Sequence, residues 1–252
     1  MSDDVAQALA FIESATLNPI EVGLYSRAAD LPRGRDRGKC LGEPGQDGAA
    51  TIGATLVSVL ANLTGQNRTD VANSLEFASR YAAHEAGADD HTAAYWTEFK
   101  KCILRLGWFK QEDQWSKDFI DGQTTGAENF SDYVIDNVRG DPLYSSPEKD
   151  VIIRALQSPR SQAEKRAFFR RFTAGGDKGS FGVSSATVTD GALAMRFSAF
   201  TFSCNAVVDD YLIFNIKNIK ADVGKKIIDS IRRQLDHKLD QAAGDYIDSV
   251  DI

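Results

Sequence analysis

Histidine and cysteine are scarce in this chain, three of each in 252 residues, and that scarcity narrows the chemistry at once. Cys40, Cys102 and Cys204 lie far apart, without the close pairs of a zinc site or the dense framework of a disulfide-stapled scaffold. A reducing compartment is the simpler expectation. His84, His91 and His237 are the only imidazoles. Asp89-Asp90-His91 puts three ligand-type side chains in a row, but contiguous residues cannot converge on one ion without distant partners. Helix capping is the plainer reading, and no metal is expected.

Long apolar runs are missing as well. The longest, Thr51 to Leu63, is about 13 residues, short of the roughly 20 that span a bilayer. Met1-Ser-Asp-Asp-Val5 is acidic and lacks the basic start and apolar centre of a secretory signal. The expected location is cytoplasmic, or outside the cell by release without a classical signal peptide. Excess positive charge is absent too: the net charge is -7 and the pI about 5.1. Binding phosphates needs concentrated Lys and Arg, so no nucleic-acid partner is expected. The basic clusters at Arg33 to Lys39 and Lys165 to Arg171 read as solvated surface. Nucleophile-elbow, phosphate-loop, dinucleotide and zinc-helix motifs do not occur.

What is present centres on residues 181 to 216. Three runs rich in Val, Ile, Phe, Tyr and Thr are separated by Asp190-Gly191 and by a polar break near Cys204. They read as consecutive antiparallel strands, since Asp-Gly accepts the positive φ of a tight hairpin. Elsewhere helical spacing dominates. Thr51 to Leu63 reads as a buried helix stopped by Gly65, and Thr69-Asp70 caps the next one. In the amphipathic stretch Ala94 to Leu106, Phe99, Cys102, Ile103 and Leu106 share a face. Cys102 is then a core residue, as buried cysteines usually are. Phe109 to Phe119 alternates like a short strand. Further helices are expected over 126 to 139, from Ser146-Pro147 to Gln157, across 160 to 172, and from Asp222 onward with Val223, Ile227, Ile231, Leu235 and Leu239 as a stripe. Tyr25 to Gly48 is rich in Arg, Gly, Pro and Asp and reads as a long loop over 26 to 50. The expected fold is α/β of the α+β kind: residues 1 to 252 as one domain, helices wrapped around an antiparallel sheet formed mainly by 181 to 216, and a long C-terminal helix.

Cys204 is the one residue with an opening for chemistry. It follows Phe197-Ser-Ala-Phe-Thr-Phe202, and strand alternation sets Phe200, Phe202 and Cys204 on one face. It reads either as an inert core thiol or as a nucleophile or acyl attachment point facing an apolar cavity. A reactive thiolate needs a base or a cationic neighbour, which leaves His84, His91 and His237 as the imidazoles that could serve.

The layout also resembles a known family. A tryptophan-bearing amphipathic helix closed by Leu106-Gly107-Trp108, the three strands of 181 to 216, and the ending Ala243-x-Asp245-Tyr246-Ile247-x-x-Val250-x-Ile252 are similar to the Erwinia virulence factor family. The similarity covers about the C-terminal two thirds. It implies an α/β fold holding a fatty acyl chain as a thioester on an internal cysteine, for which Cys204 is the matching candidate. The first expectation is therefore a lipid-handling protein with a covalently bound fatty acyl group, Phe200, Phe202, Ile103 and the Thr51 to Leu63 helix lining its tunnel. Fatty acyl chains or acyl thioesters are the expected partners, with peripheral membrane contact. Burial favours such a ligand by about 0.8 kcal/mol per methylene. The second expectation is a cysteine acyltransferase or thioesterase-like enzyme, with Cys204 as nucleophile, His237 or His91 as base and Asp209 or Asp210 as orienting group. The third is a non-catalytic interaction protein acting through its 26 to 50 loop.

Overall fold

The strands in chain order are β1 (Gly48–Ile52), β2 (Thr55–Val59), β3 (Phe109–Ser116), β4 (Lys178–Thr189), β5 (Ala192–Ser203), β6 (Val208–Lys217) and β7 (Ile247–Val250). The helices are α1 (Asp3–Ser14), α2 (Gly65–Ala86), α3 (Ala93–Arg105), α4 (Ala127–Gly140), α5 (Ser146–Gln157) and α6 (Ala221–Gln241), with a 3-10 helix at Gly34–Leu41. A computed structural model describes residues 2–18, 34–53, 55–87, 93–116, 127–142, 144–157, 178–203, 208–217, 221–241 and 247–250. The fold is α+β.

The strands form one seven-stranded sheet in the order β3-β6-β5-β4-β2-β1-β7. Its centre is the expected pair of hairpins. β4 and β5 pair from Lys178↔Ser203 to Thr189↔Ala192, and the connecting Asp190 and Gly191 take φ of 52° and 75°, the left-handed values a two-residue hairpin needs. β6 continues the antiparallel order on β5, and β3 pairs with β6 as the outer strand. The sheet is mixed because β2 joins β4 in parallel.

The stretch expected as a buried helix, Thr51 to Leu63, instead forms the β1–β2 hairpin, Ile52 opposite Thr55 and Gly53 at φ 56°. The reason is burial on both faces. Every residue of both strands is enclosed, so the polar alternation that marks a half-exposed strand is absent. The next helix starts earlier than expected as a result. Gly65 opens α2 and Thr64 is its N-cap, accepting from the Asn67 N–H, so Thr69-Asp70 lies inside the helix. Ser145, one residue before the expected Ser146, caps α5. The 26 to 50 loop contains the 3-10 helix and the start of β1, and residues 19 to 33 lie outside the described residues. So do the expected helix over 160 to 172 and residues 242 to 246, which stand between α6 and β7.

Strand alternation sorts the sheet into two faces. Thr55, Val57 and Val59 share one with Gly182, Ser184, Ala186, Met195, Phe197 and Ala199. The rings of Trp96 and Phe99 on α3 lie 5.3 and 5.0 Å from that of Phe197 on this face. The other face carries Leu56, Ser58, Val183, Ser185, Arg196, Ser198 and Phe200, and α5 lies on it through Glu148. α2 is the inner helix of the first side: everything from Arg68 to Ala83 is buried, with α3, α6 and the 3-10 helix against it.

Arg68 ties α2 to the sheet end. It is fully enclosed, and its guanidinium donates to the carbonyls of Leu63, Leu41, Gly42, Gln46 and Leu60. Burial draws its pKa below the ordinary value, while Asp47 and Glu43 pull the other way. Gly48 makes this approach feasible, since a Cβ there would lie 1.8 Å from the Leu41 carbonyl oxygen. We expect Gly48→Ala to separate the two backbones and cost about 3 kcal/mol or more. Denaturant melts of the purified variant check this, with a wild-type midpoint as the contrary result.

Candidate functional site

Cys204 and His91 lie outside the described residues, which follow β5 as far as Ser203. Phe202 is described as a strand residue paired with Gly179 and Val208. Phe200 is wholly enclosed, on the sheet face that α5 covers. Ile103 is equally enclosed but belongs to α3, which packs on the opposite face. Phe200 and Ile103 therefore cannot line one tunnel as expected: the sheet separates them, because residues three apart on a strand, as Phe197 and Phe200 are, point to opposite faces. The Thr51 to Leu63 segment cannot supply a lining helix either, being two strands of that same sheet.

His237 sits on the exposed side of α6, its Nε2 2.9 Å from the Gln241 amide nitrogen. α6 packs on α2, so His237 lies on the α3 side of the sheet, across from Phe200. His84 is exposed in the last turn of α2. Cys102 is fully buried, as its helical position predicted, and burial pushes its thiol well above the ordinary pKa. Cys40 is buried on the 3-10 helix. Among the described residues no group of His, Cys, Asp and Glu could hold a metal ion.

The polar constellations that do form were not foreseen. The first lies between α5 and the sheet. Ser145-x-x-Glu148 has the spacing of a capping box and makes its carboxylate half: Glu148 Oε2 accepts from the Ser145 N–H at 2.9 Å and from its hydroxyl. Its other oxygen accepts from the hydroxyl of Ser185 on β4 and from Nη1 of Arg196 on β5. Glu148 is completely buried, and these four donors fill a carboxylate's acceptor sites. Next along the same face, the Tyr144 hydroxyl lies 2.8 Å from Ser198 Oγ and donates to the Val183 carbonyl at 3.3 Å. The sequence does show the spacing of the capping box; it does not show that the same carboxylate also receives an arginine about fifty residues away.

The second constellation joins the 3-10 helix, α2 and α6. Arg37, expected on a solvated basic surface, is 5% exposed. Its guanidinium meets Glu76 at 3.1 Å and Asp240 at 2.6 Å, and Arg80 pairs with the same Glu76 at 2.8 Å. Arg232 grips Asp70 with Nε and Nη2 at 2.7 and 2.6 Å, a fork that raises its pKa through that hydrogen bond first. Asp236 accepts from Asn73 Nδ2 at 2.6 Å. Burial raises its pKa; Asn73 and Arg37 oppose the shift, and Asp240 and Asp70 add to it. Three arginines meet four carboxylates across three helices, an arrangement that fixes packing.

The chain was compared with family models, curated proteins and solved structures, and none matches it.

Two outcomes are expected. Glu148→Gln leaves the Arg196 guanidinium without its buried counter-charge and costs about 3–5 kcal/mol, read from urea midpoints. Asp236 acts in the reverse sense. Its folded pKa is raised above the ordinary 3.8, so the stability it lends is full below that value and is lost as pH rises through the folded pKa. Asp236→Asn keeps an oxygen for Asn73 and removes this loss. Melting temperatures measured from below pH 3.8 upward should fall less with rising pH in the variant across the range just above 3.8; an identical slope would refute the assignment.

Proposed function

We propose that the protein carries a fatty acyl chain as a thioester on Cys204. The observation that carries this reading is the state of the other cysteines. Cys102 is enclosed with its thiol held in the protonated form by burial, and Cys40 is buried on the 3-10 helix. Because the thiolate is the nucleophile, the fatty acylation that the family resemblance implies is left to Cys204. The similarity of the Trp96 to Trp108 helix, the 181 to 216 strands and the C-terminal ending to the Erwinia virulence factor family supports the same residue.

Acylation would proceed by attack of the Cys204 thiolate on an acyl thioester, with departure of the donor thiol. The hydrocarbon would then be withdrawn from water at about 0.8 kcal/mol per methylene. β5 ends at Ser203, the residue before this cysteine, and Phe200 of the same strand is fully enclosed on the α5 side of the sheet.

Intact-mass measurement on protein from a host able to acylate tests the proposal. A mass increase equal to one fatty acyl group is expected, removed by neutral hydroxylamine and absent from Cys204→Ser. The unmodified mass, or an adduct that persists in Cys204→Ser, overturns it.

A further inference from the structure

Where α6 packs on α2 and the 3-10 helix, one of the four carboxylates has no guanidinium within hydrogen-bond reach among the described residues. Asp70 is held by two nitrogens of Arg232, Glu76 by Arg37 and Arg80, and Asp240 by Arg37. Asp236 stands 3.9 Å from Arg37 Nη1, an enclosed atom that makes no hydrogen bond among the described residues. What Asp236 does meet is an amide, since its Oδ1 accepts from Asn73 Nδ2. Asn73 is buried, and its own Oδ1 is enclosed without a donor among the described residues. An acceptor left in that state is costly.

We propose that Asn73 and Asp236 form a proton-operated latch between α2 and α6. A proton on Asp236 Oδ2 supplies the donor that Asn73 Oδ1 lacks. The amide and the carboxylic acid then share two hydrogen bonds in one ring: Asp236 Oδ2–H donates to Asn73 Oδ1, while Asn73 Nδ2 still donates to Asp236 Oδ1. The proton comes from solvent, to which 24% of the Asp236 side chain is open. Its loss opens the ring and restores the fourth negative charge opposite three guanidiniums. The charges around Asp236 are Asp70 on α2, Arg37 on the 3-10 helix, and Asp240 and Arg232 one turn away on α6 itself. α1, which also packs on α6, carries Asp3, Asp4 and Glu13, and Lys238 donates to the Glu13 carbonyl. Burial, Asp240 and Asp70 favour the protonated acid against Asn73 and Arg37, and the folded pKa is raised. The latch is therefore closed below that pKa and opens as pH rises through it. Its effect falls on α6, and on β7 after it at the sheet edge, before it reaches the central strands β4 and β5. The latch is independent of acylation at Cys204.

NMR titration of the full chain from below pH 3.8 to neutrality tests it. The Asp236 carboxyl carbon should titrate with a midpoint above 3.8, and the Asn73 side-chain amide should shift at the same midpoint. Backbone amide exchange, corrected for its intrinsic pH dependence, should quicken about three- to tenfold in α6 across that midpoint and stay level in β4 and β5. Asp236→Asn keeps a donor and an acceptor for Asn73 at every pH, so its α6 should show no such step. An Asn73 amide indifferent to the Asp236 midpoint, a change in α6 no larger than in β4 and β5, or a step that survives in Asp236→Asn would each overturn the proposal. Should that variant fold poorly, the first two wild-type readings decide alone.

Discussion

A guanidinium enclosed by protein must find its acceptors in the chain itself, and Arg68 sets that requirement at the point where α2 meets the sheet. Its acceptors are backbone carbonyls from the end of the 3-10 helix, the turn before β1 and the segment after β2. Such carbonyls lie at the ends of elements, where no ladder or helix bond satisfies them. One side chain therefore closes several open ends, and the position of α2 over β1 and β2 follows from it. Ala61 N–H on Asp47, and Asp47 on Arg154 of α5, continue the tie to the other side of the sheet.

Polarity inside α2 extends this logic. Asp70, Asn73, Glu76 and Arg80 are all buried, in a helix that a simple amphipathic pattern would leave with a wet side. Their partners sit on α6 and the 3-10 helix: Arg232, Asp236 and Arg37. Buried ion pairs contribute little net stability, because desolvation offsets most of their attraction. Their effect is selective. A packing slipped by one helical turn would leave an ion buried without its counter-charge, so only one arrangement of α2 against α6 is acceptable. The same argument applies to Glu148, which couples the first turn of α5 to two adjacent strands.

Sequence patterning reveals those parts of the fold whose signal is local. Asp190-Gly191 marks its hairpin because the turn itself demands positive φ. The stripe of Ile227, Ile231, Leu235 and Leu239 marks α6 because one side of that helix remains in water. β1 and β2 were hidden because enclosure on both faces leaves no alternation, and an apolar run of that kind reads equally as a buried helix. Arg37 was hidden for a related reason. A basic residue among glycines looks solvated until acids from α2 and α6, far away in sequence, are brought around it.

Alternation along β5 bears most directly on function. Arg196, Ser198 and Phe200 fall on the α5 side, whereas Phe197 meets Trp96 and Phe99 on the other. Ile103, Cys102 and His237 belong with the helices of that second side. Among the described residues, Tyr144 therefore joins Arg196, Ser198 and Phe200 on one side of β5, and the aromatic cluster of α3 and the imidazole of α6 stand on the other. The sheet is a barrier between these groups, since crossing it would require a gap in a paired and enclosed set of strands. Among the described residues, this face of β5 carries hydroxyls, Arg196 paired with Glu148, and apolar surface.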